Sequence, residues 1–377
     1  MRGTRAGARE LSVSEETVLR QLSGALQALA PLIAAHAHES NVHAALSPAV
    51  ARGLIQAGLF RLWIPRAYGG HELSLAGALS IYETAGALDG SVGWAVMIGA
   101  GAGLFAAYLE PAAARELFGP PDAVIAGSGA ADGTAERVRG GYRASGRWRY
   151  ASGADYATTF TANCIVTQGG LPVHDAQGQR LVRAMAFPRA HVRVHRTWRV
   201  SGMRGTGSHD MEVAEAFVPE AHTFSVFTDS PREPGALYRL PFGVLTELPV
   251  TAVALGIAAH ALEEFTAVDA VSVTARGDSA ALLQQARASV GALTQLAWNR
   301  AIHAAPLDAG ELARISTGCA LIVQRLRRSV AELAHLAGMA GIREDEPLSR
   351  ATRDLTALAA HGSVSARRLP EDGKQLL

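Results

Sequence analysis

Three short runs hold the side chains best suited to chemistry. In Trp148-Arg-Tyr-Ala-Ser-Gly153 a ring, Tyr150, and a hydroxyl, Ser152, stand two residues apart on an extended segment. A hydroxyl donates one hydrogen bond and accepts others, so Ser152 suits a partner whose protonation changes with its redox state. Serine and tyrosine are also ordinary strand residues. The second run, Met203-Arg-Gly-Thr-Gly-Ser-His-Asp210, is Gly-rich and polar. It lacks the strand–turn–helix setting of a dinucleotide-binding loop and by itself reads as the entry to a hairpin. The third is Pro347-Leu-Ser-Arg-Ala-Thr-Arg-Asp354, followed at a distance by His361. Arg350 and Asp354 are spaced for an ion pair on one helix face. His361 is expected two turns further along that face, where an imidazole titrating near neutrality can hydrogen-bond or accept a proton. Glu247, ahead of Leu248-Pro-Val-Thr251, is either a helix N-terminal carboxylate or a base.

The elements that must position these groups fall into three zones. Up to about Leu117 the pattern is helical: Ser14-Glu-Glu-Thr starts one helix, with apolar Leu19, Leu22, Leu26 and Leu29 following at helical spacing. Ser47-Pro starts a second that ends near Gly58, and two more cover about Leu75–Leu88 and Ser91–Leu109. From about Ala123 to Phe227 short alternating runs predict strands of an antiparallel sheet: from Tyr142, from Thr159 to Val166, from Val182 to Phe187 and from Met211 to Val218. Pro188 and Pro219 fall where strands should end. Beyond a linker at Thr228–Leu240, long Ala/Leu-rich helices are predicted over Leu248–Thr266, Ser279–Ala305, Ala309–Leu336 and about Leu348–Ala366.

The chain has 377 residues, 49% hydrophobic and 18% charged, which allows two or three domains with a large core. A net charge of +1 gives no electrostatic case for nucleic acid or an anionic membrane. Two cysteines, Cys164 and Cys319, make neither a disulfide framework nor a metal cluster and fit a reducing cytoplasm. The N-terminus shows no apolar signal-peptide core, and the apolar stretch Trp94–Tyr108 is shorter than the ~20 residues of a membrane span.

Taken together, Ser201–Glu220, Arg147–Tyr156 and Pro347–Leu355 resemble the acyl-CoA dehydrogenase superfamily. More narrowly, they are similar to its branch of two-component monooxygenases, which use reduced flavin and oxygen. The resemblance covers roughly residues 45–365 and implies an α+β fold. Its expected parts are an N-terminal helical domain (1–120), a central antiparallel β-sheet domain (121–228) and a C-terminal four-helix bundle (229–377). It implies reduced flavin (FADH2 or FMNH2) and O2, reacting through a C4a-hydroperoxyflavin, a separate flavin reductase, a small aromatic or natural-product-like substrate, no metal, and a homotetramer or dimer.

Carried onto this sequence, the resemblance gives His361 and Ser152 catalytic roles. It assigns flavin contacts to Tyr150, Ser152, Gly153, Arg204, Thr206, Gly338 and Gly341, with Arg204 neutralising phosphate or anionic reduced flavin. Trp94, Tyr156 and Ser208 fall to the substrate pocket. Several departures matter. Asp269–Gly277 holds no Phe-Gly, and Asp122–Gly133 lacks the Thr-Glu-Pro and Gly-Ser-Asp runs that grip FAD in dehydrogenases, which fits a borrowed flavin. The only glutamate after His361 is Glu371. No histidine follows Asp89-Gly-Ser-Val-Gly-Trp94, and Tyr156 replaces another, so a fused aromatic or an amine is expected over a simple phenol. The alternatives are an FAD-dependent acyl-CoA dehydrogenase or oxidase with Glu247 as base, and a non-redox or scaffold member of the fold.

Overall fold

The computed structural model describes residues 13–268 and 272–368. Six helices come first: α1 (Val13–Ala28), α2 (Ala30–His43), α3 (Pro48–Gln56), α4 (Leu75–Leu88), α5 (Gly90–Gly101) and α6 (Pro111–Phe118). Their starts follow from local chemistry. Ser47 Oγ accepts from Val50 N at 3.3 Å and Ser74 Oγ from Gly77 N at 3.1 Å, while Asp89 Oδ1 caps α5 through Ser91 N and Val92 N. Each supplies an acceptor to amides that a helix leaves unpaired at its first turn.

A sheet follows, made of β1 (Ile125–Val138), β2 (Gly141–Ala151), β3 (Thr159–Gln168), β4 (Leu171–Pro172), β5 (Val182–Pro188), β6 (Arg193–His195), β7 (His209–Pro219) and β8 (Thr223–Phe224). The order is β6-β7-β2-β1-β3-β5-β8, with β4 added to β3. The expected antiparallel sheet is in fact mixed, because β1 and β3 run parallel. The alternating runs predicted strands but carried no information about β1, whose Gly- and Ala-rich residues give little β-propensity. Trp148 has its own core: it is fully buried, its indole fits against Gly133 and Gly146, and its Nε1 donates to Asn163 O at 2.9 Å.

Among the described residues four more helices follow: α7 (Val244–Val268), α8 (Val273–Ile302), α9 (Ala309–Leu336) and α10 (Pro347–Leu358). Asp308 and Glu311 form a reciprocal capping box at the start of α9. The fourth helix is shorter than expected, so His361 lies past its end. The N- and C-terminal helices share one continuous core, centred on α4, α5 and α7. Glycines set that closeness: a Cβ on Gly86 would lie 2.7 Å from Val253 O, one on Gly256 2.1 Å from Glu83 O. Two helical stretches, Gly90–Ala107 and Val244–Val268, are long and apolar enough to cross a membrane; 78% and 83% of each is buried inside the fold.

Candidate active site

Where the sheet meets α5 and α7 the structure encloses a cavity of about 350 Å³. Its helical wall is small and apolar, with Met97, Ile98, Gly101 and Ala102 along α5 and Leu245 and Val250 on α7. The sheet supplies Gly127, Ser128, Thr161 and Asn163, and Phe224, Phe227 and Phe242 close another side. Polar groups are few, the composition expected of a site that takes a largely apolar ligand.

His361 is one of those few. It follows α10 in a turn, its amide donating to Leu358 O at 2.9 Å. The ring stands edge-on to Trp94, with centroids 5.1 Å apart and planes at 70°. Its surface is open to the cavity, yet enough protein surrounds it that lost hydration holds its pKa below the ordinary histidine value. The imidazole is therefore neutral at pH 7. Ser363 N donates to its Nδ1 at 3.3 Å, which assigns the single ring proton to Nε2.

Beside this wall lies a chain of hydroxyls. Trp94 Nε1 donates to Ser152 Oγ at 3.0 Å, Ser152 Oγ lies 2.6 Å from Ser208 Oγ, and Ser208 Oγ lies 2.7 Å from Thr206 Oγ1. Thr206 Oγ1 then donates to Met203 O at 2.8 Å. A register shift between Trp148 and Ala151 in the β2–β7 pairing turns this corner. At the shift Tyr150 adopts φ +70°, a left-handed conformation that costs a tyrosine energy and marks an imposed geometry. The turn sends Tyr150 outward, 59% exposed, between Trp198 and the Arg149 guanidinium, while Ser152 points in.

The loop carrying Thr206 and Ser208 is clamped from three sides. Met203 N donates to Asp354 Oδ1 at 2.5 Å. Arg204 donates to Asn41 O at 2.7 Å, Val200 O at 3.0 Å and Val42 O at 3.5 Å. Gly205 abuts Ser91 and Ser40. Arg350 reaches Asp89, at 3.6 Å, rather than the expected Asp354. Asp354 is turned away toward the loop and Gly90, because a buried carboxylate takes the nearest amide donor.

Burial, reinforced by the negative charge of Asp89, pushes the Asp354 carboxyl up to about 7, against the opposing pull of Met203 N, Arg350 and Arg353. A carboxyl whose pKa is higher folded than unfolded binds its proton more tightly in the native state. Its stabilising effect is full below the unfolded value of about 4 and is lost as pH rises through 7. The Asp354→Asn variant should lose that dependence, up to about 1.4 kcal/mol per pH unit in this window. Urea unfolding of both proteins at pH 5, 6 and 7.5 measures it; parallel pH profiles would remove Asp354 as the source.

The family model described as "Acyl-CoA dehydrogenase, N-terminal domain" matches residues 22–116, and "Acyl-CoA dehydrogenase, C-terminal domain" matches residues 248–366. The chain is 30% identical over 323 residues to an indole-3-acetate monooxygenase of Pseudomonas putida, covering 81% of this chain and 80% of that protein. The chain belongs to the flavin-dependent monooxygenase branch of the acyl-CoA dehydrogenase family. A pigment production hydroxylase of a Rhodococcus strain is 28% identical over 90% of this chain and 92% of its own. Among solved structures, XiaF from a Streptomyces species, in complex with FADH2 and glycerol, superposes with a TM-score of 0.86 at 25% identity, covering 96% of this chain and 95% of its own.

Reduced flavin suits what this oxygenase offers in kind: an apolar slot bordered by the Gly127-Ser128-Gly129 backbone, with space beside Gly129, and a buried hydroxyl at Ser152. The residues expected at the site are not all together. His361 lines the cavity. Trp94, Ser152, Ser208 and Thr206 form the hydroxyl chain just behind the wall, with Gly153 N donating to Thr206 O at 2.9 Å. Tyr156 is packed on Phe60 at 5.8 Å, and its buried hydroxyl, titrating above the ordinary tyrosine value because of that burial, has no hydrogen-bond partner among the described residues.

Four further residues lie off the cavity wall. Arg204 straps the backbone carbonyls of Asn41, Val42 and Val200 together. Gly338 and Gly341 lie in a turn after α9, away from the cavity wall; Gly341 is there because a Cβ would meet Ala334 O at 1.9 Å. Glu247 is buried in the first turn of α7, while its neighbours Leu245, Thr246 and Val250 are the ones lining the cavity. Glu371 lies outside the described residues. The sequence reading missed Gly127, Ser128, Asn163, Arg180 and Phe227 on the wall; the Gly-Ser-Gly run at 127–129 was the available signal.

Proposed function

We propose that this chain is the oxygenase component of a two-component system, taking FADH2 or FMNH2 from a separate reductase in the cytoplasm and oxygenating an apolar, fused-ring aromatic substrate. Reduced flavin supplies the two electrons that split O2: substrate R–H becomes R–OH, the second oxygen leaves as water, and oxidised flavin is released. The observation that supports the substrate class is the cavity itself, walled mostly by Gly, Ala, Met, Ile, Leu, Val and Phe, with Thr161, Asn163, Arg180 and His361 among its fewer polar groups. The protein's part is to exclude water, to hold a proton at His361 Nε2 toward the reacting oxygen, and to present Ser152 to the N5 edge of the ring. Relatives act on indole-3-acetate and, for a Rhizobium protein 28% identical, resorcinol, which brackets a bicyclic and a monocyclic candidate.

An assembly of copies fits the apolar residues exposed on the C-terminal helices and the turn after α9, among them Val273, Met339 and Ile342. The test is turnover with a flavin reductase, NADH, FMN or FAD, 18O2, and a panel running from resorcinol through indole-3-acetate to three-ring aromatics. One 18O per product, with bicyclic or larger substrates preferred, is the expected result. Preference for the monocyclic phenol, or recovery of all consumed oxygen as hydrogen peroxide across the panel, would sink the substrate assignment.

A further inference from the structure

The hydroxyl chain behind the cavity has three hydrogens and three contacts to fill. Met203 O is a carbonyl and can only accept, so the Thr206 hydrogen is committed to it. The 2.7 Å contact between Thr206 and Ser208 must then use the Ser208 hydrogen, with Thr206 accepting. The 2.6 Å contact between Ser208 and Ser152 must in turn use the Ser152 hydrogen. Trp94 Nε1 donates into the other end of the chain, at Ser152 Oγ. All contacts are satisfied in one direction only: Trp94 to Ser152 to Ser208 to Thr206 to Met203.

The terminus is fixed as well. Trp198 Nε1 also donates to Met203 O, at 3.0 Å, and Asp354 holds Met203 N. Ser152, Thr206 and Ser208 are all buried, so water does not offer the hydrogens an alternative.

We infer that Thr206 and Ser208 commit the hydroxyl hydrogen of Ser152, so that Ser152 offers a bound flavin only an acceptor and thereby selects the reduced over the oxidised ring. The inference rests on the proposed placement of Ser152 at the flavin N5 edge. A reduced ring carries N5–H and can donate to the remaining lone pair of Ser152. An oxidised ring presents a bare N5, which is itself an acceptor and meets a lone pair. An isolated serine would serve both states by rotating its hydrogen; this one is held. Thr206 and Ser208 are positioning residues here, acting through Ser152, and the selectivity helps an enzyme that must bind reduced flavin and release the oxidised product.

The test measures dissociation constants for FMN, oxidised in air and reduced under anaerobic conditions, by flavin fluorescence and absorbance, in wild type, T206V, T206S, S208A and S152A. In T206V and S208A the Ser152 hydrogen is released to donate. The affinity for oxidised FMN should then rise on the order of tenfold while that for reduced FMN changes little, the size expected of one hydrogen bond. T206S keeps the chain and should keep the wild-type ratio, which also controls for folding. An unchanged ratio in T206V and S208A, with S152A altered, would overturn the lock while leaving Ser152 at the flavin. Unchanged constants for both redox states in S152A would overturn the placement of Ser152 and the lock with it.

Discussion

His361→Ala should lower the yield of oxygenated product about a hundredfold while oxygen uptake continues, the missing product being replaced by hydrogen peroxide. A positioned proton donor contributes roughly 10²–10⁴-fold in reactions of this kind. The geometry supplies such a donor: a neutral imidazole on the cavity wall, its Nδ1 occupied by Ser363 N and its proton therefore at Nε2. Trp94 fixes the ring from one side. The conservative His361→Asn variant retains an N–H of similar reach and should recover part of the coupling, which a merely structural histidine would not predict. Because burial lowers the pKa of His361, the wild type should stay coupled from pH 8 down to about 6.5; below that, a proton on Nδ1 removes the acceptor that Ser363 N uses, and coupling should fall as the ring loses this anchor. Product and peroxide, measured against NADH consumed, give the ratio directly. A coupled yield in His361→Ala within threefold of wild type would take His361 out of the reaction.

Gly202→Ala should cost about 3 kcal/mol of folding stability and weaken reduced-flavin binding with it, a large effect for one methyl group. A Cβ at Gly202 would lie 2.0 Å from Arg353 O and 2.7 Å from Asp354 N. Both are backbone atoms of α10, so no side chain can swing aside. The loop must lift, and Met203 then loses Asp354, the contact that anchors the far end of the hydroxyl chain. Glycine is needed here for close approach of two backbones, not for an unusual φ. Denaturant midpoints and the reduced-FMN dissociation constant report the two halves of the effect. A stability change within about 0.5 kcal/mol, the usual size for a neutral surface site, would show that the loop and α10 are not tightly joined.

The sequence determined the helical elements well wherever local chemistry marks them. Leu75–Leu88 and Ala309–Leu336 have the predicted ends because a Ser or Asp cap and an apolar period are both local signals. The motifs around Ser152, Thr206 and His361 were legible as a family pattern, and the family and its flavin-dependent oxygenase chemistry followed from them. Tertiary structure alone decided the partners. Asp354 is spaced for Arg350 but takes Met203, and Arg350 takes Asp89, because burial rewards the donor that happens to lie opposite rather than the one four residues away. Arg204 became a strap for the same reason. His361 left the helix that should have carried it, which brought it to the cavity wall. The parallel pairing of β1 with β3 joins residues more than thirty positions apart, and no local alternation reports on such a neighbour. The direction of the hydroxyl chain is likewise absent from any spacing, since it depends on which atom at the end of three contacts can only accept.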